Sequence, residues 1–540
     1  MHARVFAFVG FLLTLSAAAD AQTVTRPPPP VITMGANMKE FVFDWEPVPG
    51  AGTYRLYANT GPRGYFEPVS DQRIPMSRTR AAVAVAVHQQ LWSTTRYMVT
   101  SCNQAGCTRS NVVAPTNDQM LQTIGYFKAS NTGANDGLGK QVAMSVDGST
   151  LAVSADGEDG TNNSLPNSGA VYVYRRDGRK WTQEALLKAS DGLTNTRLGG
   201  GSPLAFRYMG LSANGSLLAV GAPTRSRSGQ ANAGVVLVFQ RAADNSWSQV
   251  AQFTAETATA NDYFGYSVDV SEDGKSIKVS SMYPQGGAGT PEGRTYVWNF
   301  YGGTWNTLGP IAPHFAGDRC PTVRMTTNAQ LLVSACRTST GEGRLVTAQR
   351  NGDYTWTHAA AQTFGWFENP NMALNYNGRW LALHTTGYTY EEGAISVYRR
   401  DGFNWLNDAN WLSSSGGIGY NGMGHAIDFS RDGEYIAFSD PNWHASGAGA
   451  MEGWTHSATA DGAVLILKRR PDARPQHWYT RLMKSSNPGD LDRFGESVAF
   501  GGPTGHYLAI GAPGEDGAAT GVDGDQENEA AANSGAVYLN

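Results

Sequence analysis

From about residue 120 onward the apolar positions fall into short runs spaced by polar, glycine-rich turns. Leu151-Ala-Val153, Leu217-Leu-Ala-Val220, Leu331-Leu-Val333, Leu381-Ala-Leu383, Ile436-Ala-Phe438 and Leu508-Ala-Ile510 are such runs. Asp147, Asn214, Asp273, Asn377 and Asp432, each followed by glycine, mark turns before the apolar strands. Asp-Gly and Asn-Gly favour the left-handed dihedrals of a two-residue hairpin, so each is predicted to join a first strand to a second. A loop of variable length then leads to an alternating third strand, as in Gly169 to Tyr174, Gly234 to Phe239, Gly393 to Tyr398 and Gly462 to Leu467. A fourth follows a tryptophan: Trp181, Trp247, Trp305, Trp356, Trp405 and Trp478.

Six tryptophan markers delimit seven units of about 60 residues, enough for four strands and their turns. A repeat at that period signals stacked or ring architecture. Four-stranded sheets repeated around an axis make a β-propeller, here seven-bladed over residues 120–540. Phe494-Gly495 with Gly511-Ala-Pro513, and Phe264-Gly265 with Gly221-Ala-Pro223, resemble the FG-GAP repeats of the integrin α-subunit propeller and its bacterial relatives. The last unit ends at Asn540 without a tryptophan-led strand. Residues 121–129 resemble the post-tryptophan strands and are expected to complete that blade, closing the ring.

Ahead of the repeat, residues 31–115 alternate in short strands: Phe41 to Trp45, Thr53 to Tyr57, Ala81 to Val87 and Thr95 to Thr100. That is the size and pattern of a small sandwich. Trp45, Tyr54 and Tyr97 fall where a fibronectin type III domain has its core tryptophan, third-strand tyrosine and corner tyrosine, and the stretch resembles one. The expected fold is therefore all-β, a sandwich followed by a propeller. Abundant glycine (64 residues) and a charged fraction of only 16% agree with many strands and tight turns.

Arg4, the apolar stretch Val5 to Leu15 and Ala19-Asp20-Ala21 read as a secretory signal over residues 1–21. A stiff proline spacer follows over residues 22–30, ending in Pro27 to Pro30. No later run approaches the roughly 20 apolar residues of a membrane span. The expected location is secreted, periplasmic or cell-surface. The four cysteines fall into two local pairs, Cys102 with Cys107 and Cys320 with Cys336, each flanking a predicted hairpin. As disulfides in an oxidising compartment they would contribute about 2 and about 3 kcal/mol by loop-closure entropy. A net charge of -5 without a basic run argues against nucleic acid as a partner.

The integrin-type calcium loop, Asp-x-Asp-x-Asp-Gly, is absent from the first hairpins, which carry one or two acids each. Acids gather instead between the second and third strands: Asp156, Glu158 and Asp159 in the first unit, and Glu515, Asp516, Asp523 and Asp525 in the last. With backbone carbonyls completing the shell such loops suit calcium, a hard cation taking six to eight oxygens; a solvated acidic turn is the alternative. The longest excursion, residues 440–461, carries Trp443, His444, Trp454 and His456, candidates for stacking on a glycan or protein surface unless the tryptophans fold back onto the blade. No nucleophile elbow, zinc-protease helix or phosphate loop occurs, so no catalytic residue is assigned. Extracellular binding or adhesion to a protein or glycan is the expected function. A structural part of a surface assembly, or a propeller-based hydrolase or lyase, is the alternative.

Overall fold

The computed structural model describes residues 24–540 apart from 61–63, 93, 202–206, 282–293, 312–318, 339, 367, 387–392, 413–423, 445–446, 452–460 and 470–478. The signal segment, Trp454, His456 and Trp478 lie outside the described residues.

The repeated Asp-Gly turn shows how local sequence builds each sheet. Ser145 N–H donates to Thr150 O at 2.9 Å and Gly148 N–H to Ser145 O at 2.9 Å, so four residues form the loop. Only the glycine is left-handed, at φ 67°. The two-residue hairpin expected from the dipeptide is thus corrected to a longer turn, and the residue two positions earlier supplies the reason. The Ser145 hydroxyl donates to Asp147 Oδ1 at 2.5 Å and accepts the N–H groups of Ser149 and Thr150 at 3.1 and 2.9 Å. A hydroxyl that satisfies loop donors locally stabilises the wider turn. Ser212, Ser271, Thr326 and Ser430 use their hydroxyls in the same way, and Asn375 its amide oxygen.

Among the described residues these turns lie within seven successive sheets between Gly125 and Leu539, each of four or five strands. The first is Leu138–Met144, Thr150–Ala155, Ala170–Asp177 and Lys180–Leu187, hydrogen-bonded in that order as an antiparallel meander. The leading strand of each sheet touches that of the next, and the last touches the first, so the sheets ring an axis. An apolar cluster fills each junction between neighbouring sheets. Third strands such as Ala170–Asp177 are buried along most of their length, because a sheet inside a ring is covered on both faces.

The Phe-Gly and Gly-Ala-Pro motifs meet at these junctions. A Cβ added to Gly221 would lie 2.0 Å from Gly265 O in the next sheet, and one on Gly511 would lie 2.0 Å from Gly139 O. The two backbones approach too closely for any side chain. Phe264 bridges Gly234 in parallel fashion, as Phe494 does Gly462, Leu198 does Gly169 and Leu138 does Gly535. Each ring or leucine is fully buried where the chain crosses from one sheet to the next.

The seventh sheet is completed from the other end of the repeat. Ala536–Leu539 pairs antiparallel with Gly125–Phe127, matching Val537 to Phe127, Tyr538 to Tyr126 and Leu539 to Gly125. This strand is shorter than residues 121–129. Leu121 and Gln122 belong to the helix Asn117–Gln122, which Thr116 starts by a reciprocal cap with Gln119.

Before this helix stand two further sheets. One comprises Ile32–Asn37, Glu40–Trp45 and Arg80–Ala84; the other centres on Thr53–Asn59 and Arg96–Asn103. Trp45, Tyr54 and Tyr97 are buried in the core they share, with the Trp45 and Tyr54 rings 5.3 Å apart. That core is continuous with the junction between the sixth and seventh propeller sheets. At the contact, His88 Nε2 lies 2.8 Å from Gly505 O and its ring 5.7 Å from Phe500, while Gln89 Nε2 donates to Thr504 O and Gly505 O. Disulfides join Cys102 to Cys107 and Cys320 to Cys336, both across adjacent strands. Two such bridges suggest an oxidising compartment. No described helix is long and apolar enough to cross a membrane.

Candidate functional site

The acidic loops are already committed to partners within the protein. Glu515 is 1% exposed as a side chain; its Oε2 accepts from Lys128 Nζ at 2.7 Å and Gly517 N–H at 3.0 Å, and its Oε1 from Tyr126 Oη at 2.6 Å. Glu158 is buried against Lys188 and also accepts from Asn131 Nδ2 and Gly160 N–H. Asp156 pairs with Arg197 at 3.3 Å, and Asp159 takes the Asn167 N–H at 2.7 Å. Asp516 takes the Asn533 N–H at 2.7 Å, Asp523 that of Tyr126 at 3.3 Å, and Asp525 that of Glu527 at 3.0 Å. Among the described residues no group of three or more His, Cys, Asp or Glu side chains is placed to hold a metal ion.

The acids answer a repeat that sequence reading passed over. Lys128, Lys188 and Lys484 each follow an outer strand, in Phe127-Lys-Ala-Ser130, Leu187-Lys-Ala-Ser190 and Met483-Lys-Ser-Ser486. They pair with Glu515, Glu158 and Asp461 respectively. Burial pulls the Lys128 ammonium down from its ordinary value, while the Glu515 charge and hydrogen bond oppose that. Each pair ties an outer strand to the loop between the second and third strands of its own sheet. The periodic lysine was the available signal.

In the sixth sheet Trp443 is 5% exposed and packs with Trp380, Phe438 and Leu465. It is therefore a core residue rather than a ligand platform, because its apolar ring fills the junction between the fifth and sixth sheets. His444 follows it, partly exposed.

What the ring does bring together lies on its axis. A cavity of about 120 Å³ is lined by Met144, Leu211, Asp269, Met325, Leu374, Phe429 and Phe500, one residue from the leading strand of each sheet. A smaller one of about 30 Å³ is lined by residues nearer the start of the same strands, including Gln141, Asn371, Ile427 and Ser497. Arg207 and Arg324 line both, so the two cavities adjoin at these guanidiniums.

The axis is strongly charged. Arg324 is 6% exposed; its Nε donates to Met372 O at 3.0 Å and its Nη1 to Ser267 Oγ at 2.8 Å. Arg207 stands 3.9 Å from Asp428, which also accepts the Phe500 N–H at 2.8 Å. Burial pushes the Asp428 carboxyl up, and Arg207 and that N–H only partly offset it. Lys278, fully buried, contacts Asp269 at 3.0 Å, and burial lowers its ammonium to about 8. Arg431 clamps Glu272 through Nε and Nη2 at 2.9 and 3.2 Å. At the leading end, Glu496 contacts Lys140, Arg493 at 2.7 Å and His425 at 3.3 Å. Burial raises its carboxyl, but the close contact with His425 and the charges of Lys140 and Arg493 outweigh burial and hold it well below the usual range. A carboxylate so stabilised is a weak base, whereas a half-satisfied guanidinium is a ready ligand for polar groups.

Two stretches of this ring, residues 125–174 and 247–298, match the FG-GAP repeat family. These two segments of the β-propeller carry FG-GAP repeats. The first match runs from the strand that completes the seventh sheet through the third strand of the first, and the second from the outer strand of the second sheet into the third. No curated protein matches the chain. Among solved structures, the FG-GAP propeller is similar to hydrazine synthase of Kuenenia stuttgartiensis at 13% identity and a TM-score of 0.44, over 71% of this chain and 93% of that one. It is similar to the periplasmic gluconolactonase of Pseudomonas aeruginosa at 13% identity and 0.41, over 81% and 98%. It is also similar to the β-propeller domain of the Swd1 protein of Myceliophteria thermophila at 11% identity and 0.44, over 76% and 98%. The activities in those names belong to those proteins.

Proposed function

We propose that the chain is an exported binding protein, a fibronectin type III-like module docked on a seven-bladed FG-GAP propeller whose axis receives part of an extracellular protein or glycan. The observation that carries this reading is the axial cavity, to which every propeller sheet contributes a leading-strand residue. Concave sites on which polar groups converge are where ligands bind. The two disulfides support export, as does the signal-like segment at residues 1–21. Two sheets of three and five strands around Trp45, Tyr54 and Tyr97 support the fibronectin-like assignment. The ring of seven sheets supports the blade number.

His425 beside Glu496 at the leading end is the feature that favours the enzyme alternative. The charges of Lys140 and Arg493 make Glu496 a weak base, so binding is the better reading. Calcium is not part of the proposal, since the acids expected to bind it already hold protein donors. The test is a glycan array and a panel of immobilised extracellular proteins probed with the processed chain. Capture should be lost in Arg431→Ala, which opens the Glu272 clamp in the axial wall, and kept in Asp525→Asn on the acidic loop. Capture by both variants alike would move the site off the axis.

A further inference from the structure

We infer that the leading end of the axial channel is a receptor for a carboxylate, held between Arg207 and Arg324. This rests on the reading of the axis as the recognition site and names the chemistry it takes. Arg324 is buried, yet among the described residues its Nη2 has no hydrogen-bond partner while Nε and Nη1 each have one. A guanidinium carries five N–H donors in a rigid fork matched to two oxygens of one anionic group. Gln141, 7% exposed, lines the same cavity with its side-chain amide unpaired among the described residues. Polar groups that lack protein partners and line one small cavity are completed there by water or by a ligand.

Charge favours an anion. Lys140, Arg207, Lys278, Arg324 and Arg493 are fixed cations around the leading end and the waist, against Asp269, Asp428 and Glu496. Glu496 is neutralised by its own contacts, and Asp269 by Lys278. Among the described residues the Arg207 guanidinium keeps only the 3.9 Å approach to Asp428. This cationic surplus sits on the axis of a chain whose net charge is -5. A planar carboxylate presents two oxygens that match the fork of one guanidinium. Among sugars a uronic acid presents that group, which joins the carboxylate to the glycan class proposed for the axis.

The test is calorimetric titration of the processed chain at low ionic strength with glucuronate, glucose and inorganic phosphate. Glucuronate should bind, glucose should give no heat, and phosphate should bind more weakly. Arg207→Gln should weaken glucuronate at least tenfold, and Gln141→Leu several-fold, while Arg207→Lys recovers part of the loss. Arg207 is partly exposed, so its variants should fold, which their melting curves check. Silence with glucuronate, unchanged affinity in Arg207→Gln, or binding of phosphate alone would each overturn the inference. If a partner found on the array is captured equally by Arg207→Gln, the carboxylate site falls while axial binding stands. Should glucuronate bind but no macromolecule be captured, the reverse holds.

Discussion

Replacing Lys128 by methionine tests whether a buried ion pair secures the closing sheet. The Lys128 ammonium is fully buried and reaches Glu515 Oε2 and Ser534 Oγ, both at 2.7 Å. The Lys128 segment follows the strand Gly125–Phe127, and Ser534 precedes Ala536–Leu539, so this contact joins the two chain segments that complete the ring. Methionine fills similar space but leaves Glu515 with only the donors of Tyr126, Gly517 and Asn487. Stranding one charge of a buried pair costs about 3–5 kcal/mol. A stranded carboxylate escapes part of that by taking up a proton, which for an ordinary glutamate costs about 4 kcal/mol at pH 7 and about 1 kcal/mol at pH 5. The variant should therefore lose about 3–4 kcal/mol against wild type at pH 7 and about 1 kcal/mol at pH 5. Lys128→Met combined with Glu515→Gln should recover most of the pH 7 loss. Urea unfolding followed by tryptophan fluorescence at both pH values measures this, with hydrogen exchange at Ala536–Leu539 reporting whether the closing strand opens first. A loss under about 1 kcal/mol at pH 7, or the same loss at both pH values, would refute the argument.

Gly221→Ala should destabilise by about 3 kcal/mol or more, because its new methyl would lie 2.0 Å from Gly265 O, whereas Gly35→Ala, with open space around it, should change little. Thermal melts of the two variants decide it. Acidification should weaken the contact between the sandwich and the propeller. Burial and the charges of Lys39, His506 and Arg481 hold His88 well below its ordinary value, against a hydrogen bond to Gly505; burial with Lys39 and Arg176 lowers His506 to about 4. Depressed histidines contribute stability fully above pH 6.5 and lose it as pH falls, His506 alone by about 2 kcal/mol between pH 6.5 and 5. A melting temperature flat over that range, after subtraction of a His506→Phe control, would contradict this. Chelator should leave the melting temperature unchanged, since Glu158 and Glu515 already face Lys188 and Lys128; a fall of several degrees would reinstate calcium.

Much of the ring was legible because its signals are local and repeated. An Asp-Gly turn, an apolar run and a tryptophan-led strand recur at a fixed period, and strand alternation with turn chemistry acts over a few residues. The cysteine pairs were readable for the same reason, each closing a short hairpin. Even the turn was incompletely read, since Ser145 two positions ahead of Asp147 sets its length. Long-range placement was not available from the pattern. Trp443, within a polar loop, looked free to stack on a ligand, and only the packing of the fifth sheet against the sixth put it in the core. The acidic residues looked like a cation site until Lys128 and Lys188 were seen to face Glu515 and Glu158, the first pair separated by nearly the whole propeller sequence. Arg207, Arg324 and Gln141 carry no motif at all. Sequence alone determined the period, the strands and the turns, because those depend on neighbours a few residues apart. Ring closure decided the axis, bringing side chains hundreds of residues apart into one desolvated channel where their charges and unpaired donors acquire meaning.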